Sequence, residues 1–151
     1  MSIKIIGLIK YIKKHNLILA TCESCTGGML GAEIVSKPGA SKYYYGGLIT
    51  YMDKAKAELL GFHIKNVKKW GAVSLEMAQL MALYTFKKTN ADINISITGY
   101  TGPGDGSRIG EIYIGIYTKW DNKNRYISLK LTGTRNKIRQ QIVDYVLYKL
   151  F

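Results

Sequence analysis

The chain has 151 residues, 47% of them hydrophobic and 21% charged, which fits one globular domain, residues 1–151, with room for a real core. Its formal net charge is +12, from 22 basic residues of which only Arg108, Arg125, Arg135 and Arg139 are arginine. No apolar run reaches membrane-spanning length, and no small-residue cleavage site follows the N-terminal stretch, so the expectation is a cytoplasmic protein without a membrane association. The lysines are spread along the chain rather than gathered in a block. Such a field draws an anionic small substrate as readily as nucleic acid, and no nucleic-acid-binding motif of a known class appears.

In chain order, residues 3–14 read as an amphipathic helix, with Lys10, Lys13 and Lys14 opposite its apolar positions. Residues 17–22 read as a buried strand and 27–36 as a helix, joined by the polar turn Glu23-Ser24-Cys25-Thr26-Gly27-Gly28. Lys37-Pro38-Gly39-Ala40-Ser41 is a loop, and Tyr43–Tyr51 a strand in which Gly46-Gly47 marks a bulge or a close approach. Asp53 is placed to cap a short helix that Gly61 ends, and residues 62–71 read as connecting loop. Ser74 starts the clearest helix, which closes on Lys87-Lys88. Ile93–Thr98 is a strand and 99–107 a glycine-rich loop. Glu111–Lys119 and Arg125–Leu131 form a hairpin, and Thr134 caps a last helix. This order predicts a three-layer α/β/α domain with a mixed, mainly parallel sheet and an antiparallel hairpin near the C-terminus. The last helix carries more apolar positions than one buried stripe needs (Ile142, Val143, Tyr145, Val146, Tyr148, Leu150, Phe151), which predicts a homodimer.

Sites in open α/β sheets gather beyond the C-terminal ends of strands. Three loops leave such ends: 22–28, 51–56 and 99–110. In the first, a Ser lies beside unsatisfied N–H groups at a helix start, where an oxyanion or a phosphate is stabilised. The plain alternative is that Ser24 or Thr26 only caps the helix. In the second, Lys56 sits in a helix's first turn, where the positive dipole end disfavours its charged form. A neutral Lys amine serves as general base to a Ser hydroxyl, and Tyr51 is near enough in sequence to relay a proton. The plain alternative is a surface lysine and a packed tyrosine. The third loop fits neither a Walker loop nor a dinucleotide fingerprint, yet its backbone can wrap an anion.

Other chemistries find less support. Cys22 and Cys25 form a C-x-x-C at a strand-to-helix turn, the place of a redox pair, without local basic residues to lower a thiol pKa. With His15 and His63 they show no zinc spacing, and no Ser-His-Asp set or carboxylate pair stands out.

Five segments in order resemble the CinA C-terminal domain family, whose members include stand-alone nicotinamide-nucleotide amidases of the PncC type. They are Glu23–Gly28; Gly46–Tyr51 with Ala55-Lys56 and Leu60-Gly61; Gly71–Ser74; Thr98-Gly99 with Gly102-Pro103-Gly104; and Gly133-Thr134-Arg135 with Arg139. The resemblance runs from about Ile3 to Leu150. It implies hydrolysis of the carboxamide of nicotinamide mononucleotide to nicotinate mononucleotide and ammonia, with no metal or organic cofactor. Ser24 would be the nucleophile, with Lys56 and Tyr51 as base and proton relay. N–H groups near Cys25, Thr26, Gly27 and Gly28 would form the oxyanion hole. Thr98, Gly99, Gly102, Gly104 and Arg135 would hold the rest of the substrate. Larger members carry a preceding domain, so the resemblance is to the stand-alone form. The chain departs from the family pattern at Cys22, at Tyr100-Thr101 and in a shorter 104–110 loop, with Arg108 near the place of a usual lysine. A non-catalytic nucleotide- or DNA-associated module, linked by the family's name to competence and DNA damage, is the competing expectation.

Overall fold

The computed structural model describes residues 6–104 and 106–151. Residues 3–5 of the expected first helix lie outside them. The elements are α1 (Ile6–His15), β1 (Leu19–Glu23), α2 (Met29–Val35), β2 (Tyr44–Ile49), α3 (Asp53–Leu60), α4 (Lys65–Trp70), α5 (Leu75–Thr89), β3 (Ile93–Gly99), β4 (Glu111–Thr118), β5 (Lys123–Lys130) and α6 (Arg135–Tyr148).

The strands form one five-stranded sheet in the order β2-β1-β3-β4-β5. β1 runs parallel to both β2 and β3, while β3–β4 and β4–β5 are antiparallel. The ladders are thus evenly divided, although β4 alone opposes the other strands. The expected final hairpin is β4–β5. The antiparallel β3–β4 pair follows from the absence of a crossover helix between them.

Helices cover both faces, which gives the three layers. On one face α1, α2 and α6 pack Leu8, Ile12, Leu30, Ile34, Ile142 and Val146 against Ile93, Ile95 and Ile97 of β3. On the other, α3, α4 and α5 pack Leu60, Val67, Met77 and Met81 around Cys22. Alternation along β3 therefore sends isoleucines to one core and Asn94, Ser96 and Thr98 to the other. The polar side is satisfied by main chain: Ser96 Oγ donates to the Ala78 carbonyl (2.5 Å) and Thr98 Oγ1 to that of Ala72 (2.6 Å). Helix α5 lies so close that a Cβ on Gly115 would sit 2.1 Å from the Ala78 oxygen, which explains a glycine in the middle of β4.

Three sequence expectations change. The segment 62–71 contains a helix, α4, whose lysine-rich sequence KNVKKW buries Val67 but shows no apolar stripe. Asp53 does not cap α3, because Met52 holds the cap position and no side-chain cap bond forms. Thr134 stands at the N-cap of α6, also without a side-chain cap bond. On α6, Ile142, Val143 and Val146 are fully buried in the core that α1 completes, and Tyr145 and Tyr148 pack partly buried against it. Ser74, by contrast, caps α5 as expected, its Oγ accepting from the Met77 N–H at 3.0 Å. No described helix is long and apolar enough to cross a membrane.

Candidate active site

Parallel register brings three strand ends to one level: Glu23 is paired with Ile49 of β2 and with Ile97 of β3. The ladders run one residue further, with the Ser24 N–H donating to the Ile97 carbonyl (3.0 Å) and the Thr50 N–H to that of Glu23 (2.9 Å). Ser24, the start of α3 and the segment 98–103 consequently meet around one cleft of about 280 Å³.

Neither Ser24 nor Thr26 caps α2. Gly28 occupies the cap position, and the cap is supplied by Glu23, the last residue of β1. Its buried carboxylate accepts from the N–H groups of Leu30 (2.9 Å) and Gly31 (3.0 Å) and from the Thr26 hydroxyl (2.6 Å). An anion at a helix start is stabilised by the dipole and the free N–H groups. Here it also joins the strand end to the helix across the turn. Gly27 and Gly28 have φ of +57° and +100°, the left-handed region that such a tight reversal requires.

Arg139 braces the same turn from α6. Its guanidinium donates to the carbonyls of Cys25 (3.1 Å) and Thr26 (2.9 Å). In a planar trans peptide the next N–H points opposite its carbonyl, so Arg139 turns the Thr26 N–H to the far side. Of the N–H groups expected to form an oxyanion hole, that of Gly27 is taken by the Ser24 carbonyl (3.1 Å). Those of Cys25 and Thr26 meet no oxygen acceptor among the described residues. The sequence signal for Arg139 was its spacing: it follows Arg135 by one helical turn on α6.

Lys56 is 1% exposed. Its Nζ lies 3.0 Å from Ser24 Oγ, 2.9 Å from the Thr50 carbonyl and 3.2 Å from that of Tyr51. No carboxylate is bonded to it among the described residues, and burial lowers its pKa against an opposing pull from Asp53. A neutral amine has two protons and one lone pair. In that form the two protons would go to the two carbonyls and the lone pair would be left for the Ser24 hydroxyl; as an ammonium, Nζ donates to Ser24 Oγ as well.

Tyr51 stands differently from its expected relay position. The residue is 56% exposed and its hydroxyl accepts from Arg135 (2.9 Å); only its main-chain carbonyl reaches Lys56. The chain turns inward at the end of β2 while the side chain points out, which separates the two groups. Arg135 also donates to the Gly102 carbonyl, so it links the strand-end tyrosine to the glycine-rich segment.

The cleft is lined by Ser24, Cys25, Tyr51, Lys56, Thr98, Gly99, Gly102 and Arg135 of the expected site residues. Thr26, Gly27, Gly28 and Gly104 stand outside it: the first three shape the turn, and Gly104 lies on the exposed part of the loop. Gly99 has no room for a side chain, because a Cβ there would meet the Glu111 carbonyl oxygen at 2.9 Å as well as the tip of Ile112 at 2.4 Å. Tyr100 and Thr101 also line the cleft. Arg108 holds Tyr100 from outside it, with its guanidinium 4.5 Å from the ring centre and donating to the hydroxyl at 3.0 Å. Glu111 fixes Arg108 through two bonds of 2.9 and 2.7 Å, and Arg108 together with Tyr113 holds its pKa down at about 2.

The two cysteines are free, and they belong to opposite cores. Burial pushes Cys22 up to about 11 and Cys25 up to about 12, so neither is a reactive thiolate near neutral pH. Among the described residues, no three His, Cys, Asp or Glu side chains gather as a metal site would need.

Residues 6–151 match the family model described as the CinA C-terminal domain. A CinA-like protein of Kosmotoga olearia is 38% identical over 143 residues, covering 93% of this chain and 34% of that protein. A CinA-like protein of Fusobacterium nucleatum is 38% identical over 137 residues, covering 89% and 33%. The chain therefore spans about a third of the length of these curated relatives. The crystal structure of a competence-damaged protein (CinA) superfamily protein from Escherichia coli has a TM-score of 0.88 at 28% identity, covering 97% of this chain and 86% of that one. The competence/damage inducible protein CihA from Agrobacterium tumefaciens has a TM-score of 0.87 at 27% identity, covering 95% and 88%.

Proposed function

From the premise that this chain belongs to the CinA C-terminal domain family, we propose that it hydrolyses the carboxamide of nicotinamide mononucleotide, giving nicotinate mononucleotide and ammonia. One observation carries the reading: a buried lysine amine, bonded to no carboxylate among the described residues, rests on a serine hydroxyl at the floor of a cleft. A surface lysine or a helix-capping serine needs neither feature.

Ser24 Oγ attacks the carboxamide carbon as its proton passes to Lys56 Nζ. The oxyanion is met by the N–H of Cys25, which lines the cleft on a turn that Arg139 and Glu23 hold in place before substrate arrives. The C–N bond then breaks, and the nitrogen leaves as ammonia with the proton returned by Lys56. Water attacks the resulting ester, again giving its proton to Lys56; the carbon–Oγ bond breaks and Ser24 regains a proton. The sum is amide plus water to acid plus ammonia, with no redox change. Arg135 suits the phosphate, since a guanidinium makes bidentate contacts with such a group. The phosphate would replace the present bonds of Arg135 to Tyr51 and Gly102.

The test is ammonia release from nicotinamide mononucleotide without added metal, wild type against Ser24→Ala. The expected result is release by the wild type and a loss of about a thousandfold or more in the variant, with unchanged thermal unfolding. Equal release by both proteins would discard the nucleophile. Absence of release by the wild type would discard the amidase reading.

A further inference from the structure

Asp53 is the one carboxylate lining the cleft among the described residues. Its type and position give it a structural task, capping α3, that it does not perform, since Met52 is the cap residue. Its carboxylate makes no hydrogen bond or ion pair among the described residues, in contrast to Glu23, Glu111 and Asp121, which are all bonded. It stands one turn before Lys56 on α3, where a negative charge favours the protonated amine and so works against the free base. An acid in the first turn helps the helix dipole modestly. That gain does not require a side chain facing the cleft.

The charges around it give the position a use. The chain carries a net charge of +12, and the cleft itself contains Lys56 and Arg135. A cationic ring meets repulsion from this surface, whereas an anionic group is welcomed by Arg135. We infer that Asp53 reads the charge of the substrate ring, admitting an aromatic amide whose ring is positively charged over the same amide on a neutral ring. The cleft is then bipolar, with Arg135 for an anionic tail and Asp53 for a cationic head. This inference rests on the amidase reading of the same cleft. It adds that the oxidised pyridinium form is selected against the reduced dihydropyridine form, which has the same carboxamide, ribose and phosphate.

The test measures binding of the two forms by calorimetry in a Ser24→Ala background, so that turnover does not interfere. The parent variant is expected to bind nicotinamide mononucleotide about tenfold more tightly than its reduced form at low salt. The margin should narrow as salt rises. Adding Asp53→Asn should bring the two affinities within about twofold, while Asp53→Glu keeps most of the preference. A purely structural Asp53 would weaken both forms equally when replaced. That outcome, a preference that survives Asp53→Asn, or no binding of either form overturns the inference. The wild-type ammonia assay separates the two readings. Release with an unaltered preference sinks the charge selection alone; a collapsed preference without release sinks the amidase alone.

Discussion

Lys56 and Arg108 flank the same cleft with the same formal charge and opposite surroundings. Lys56 is almost fully buried, and its amine is met by two main-chain carbonyls and a serine hydroxyl. Arg108 is exposed, forked onto Glu111 and laid over Tyr100. Burial without a counter-ion disfavours the ammonium and lowers the lysine pKa, while the carboxylate beside Arg108 raises that of the guanidinium. The first cation is prepared to give up its proton, and the second is fixed as a permanent brace. A count of basic residues treats them as equal; their neighbours decide which one does chemistry.

The contrast breaks most sharply at the lysine. Lys56→Met keeps the length of the side chain and removes the amine, so ammonia release should fall by about a thousandfold. Combined with Ser24→Ala it should cost little more than either change alone, because the two residues act as one unit.

The pH dependence sharpens the same contrast. Activity should rise about tenfold per pH unit below the Lys56 pKa and level off before the ordinary lysine range near about 10.4 is reached. Replacing Asp53 with Asn, which removes a charge favouring the ammonium, should move the rise to lower pH. Stability follows the same sign. Between the folded and unfolded pKa values of Lys56 the unfolded chain binds the extra proton, so stability increases with pH across that window. Urea unfolding at a series of pH values tests this.

Arg139→Met should have an intermediate effect. It frees the Cys25 and Thr26 carbonyls without touching Ser24 or Lys56, and should lower kcat by about tenfold with a smaller change in KM. The weakest effect is expected for Glu111→Gln. An exposed ion pair contributes little, so the midpoint of thermal unfolding should move by about 2 °C or less. The Glu111 carboxylate, with its pKa near about 2, loses its share only as pH falls from the usual glutamate range toward that value.

The sequence made the layers legible through period. Strict alternation in Ile93–Thr98 and the broad apolar face from Leu75 onward translate directly into β3 and α5. It did not reveal α4, because a short helix with one buried residue has no stripe to read. The turn after β1 shows a subtler gap. Ser24 and Thr26 are the residue types that cap helices, yet a carboxylate one residue before the turn holds the helix N–H groups. Strand direction decides that outcome, and spacing alone does not carry it. The pairing of Ser24 with Lys56 was legible as two loops leaving neighbouring strand ends. The outward turn of the Tyr51 ring was not, since a side chain and its own carbonyl serve different partners there.

That division at Tyr51 bears on how the site can change over evolutionary time. The acceptors that hold Lys56 in place are main-chain oxygens of residues 50 and 51, and every amino acid supplies such an oxygen. Substitution of the exposed Tyr51 can alter what the mouth of the cleft presents to a ligand while the base keeps its anchor. Much of the wall facing the ligand comes from other stretches, 98–103 and Arg135, far along the chain from Ser24 and Lys56. Substrate preference can therefore drift by ordinary point mutation while the proton-transfer pair is inherited intact.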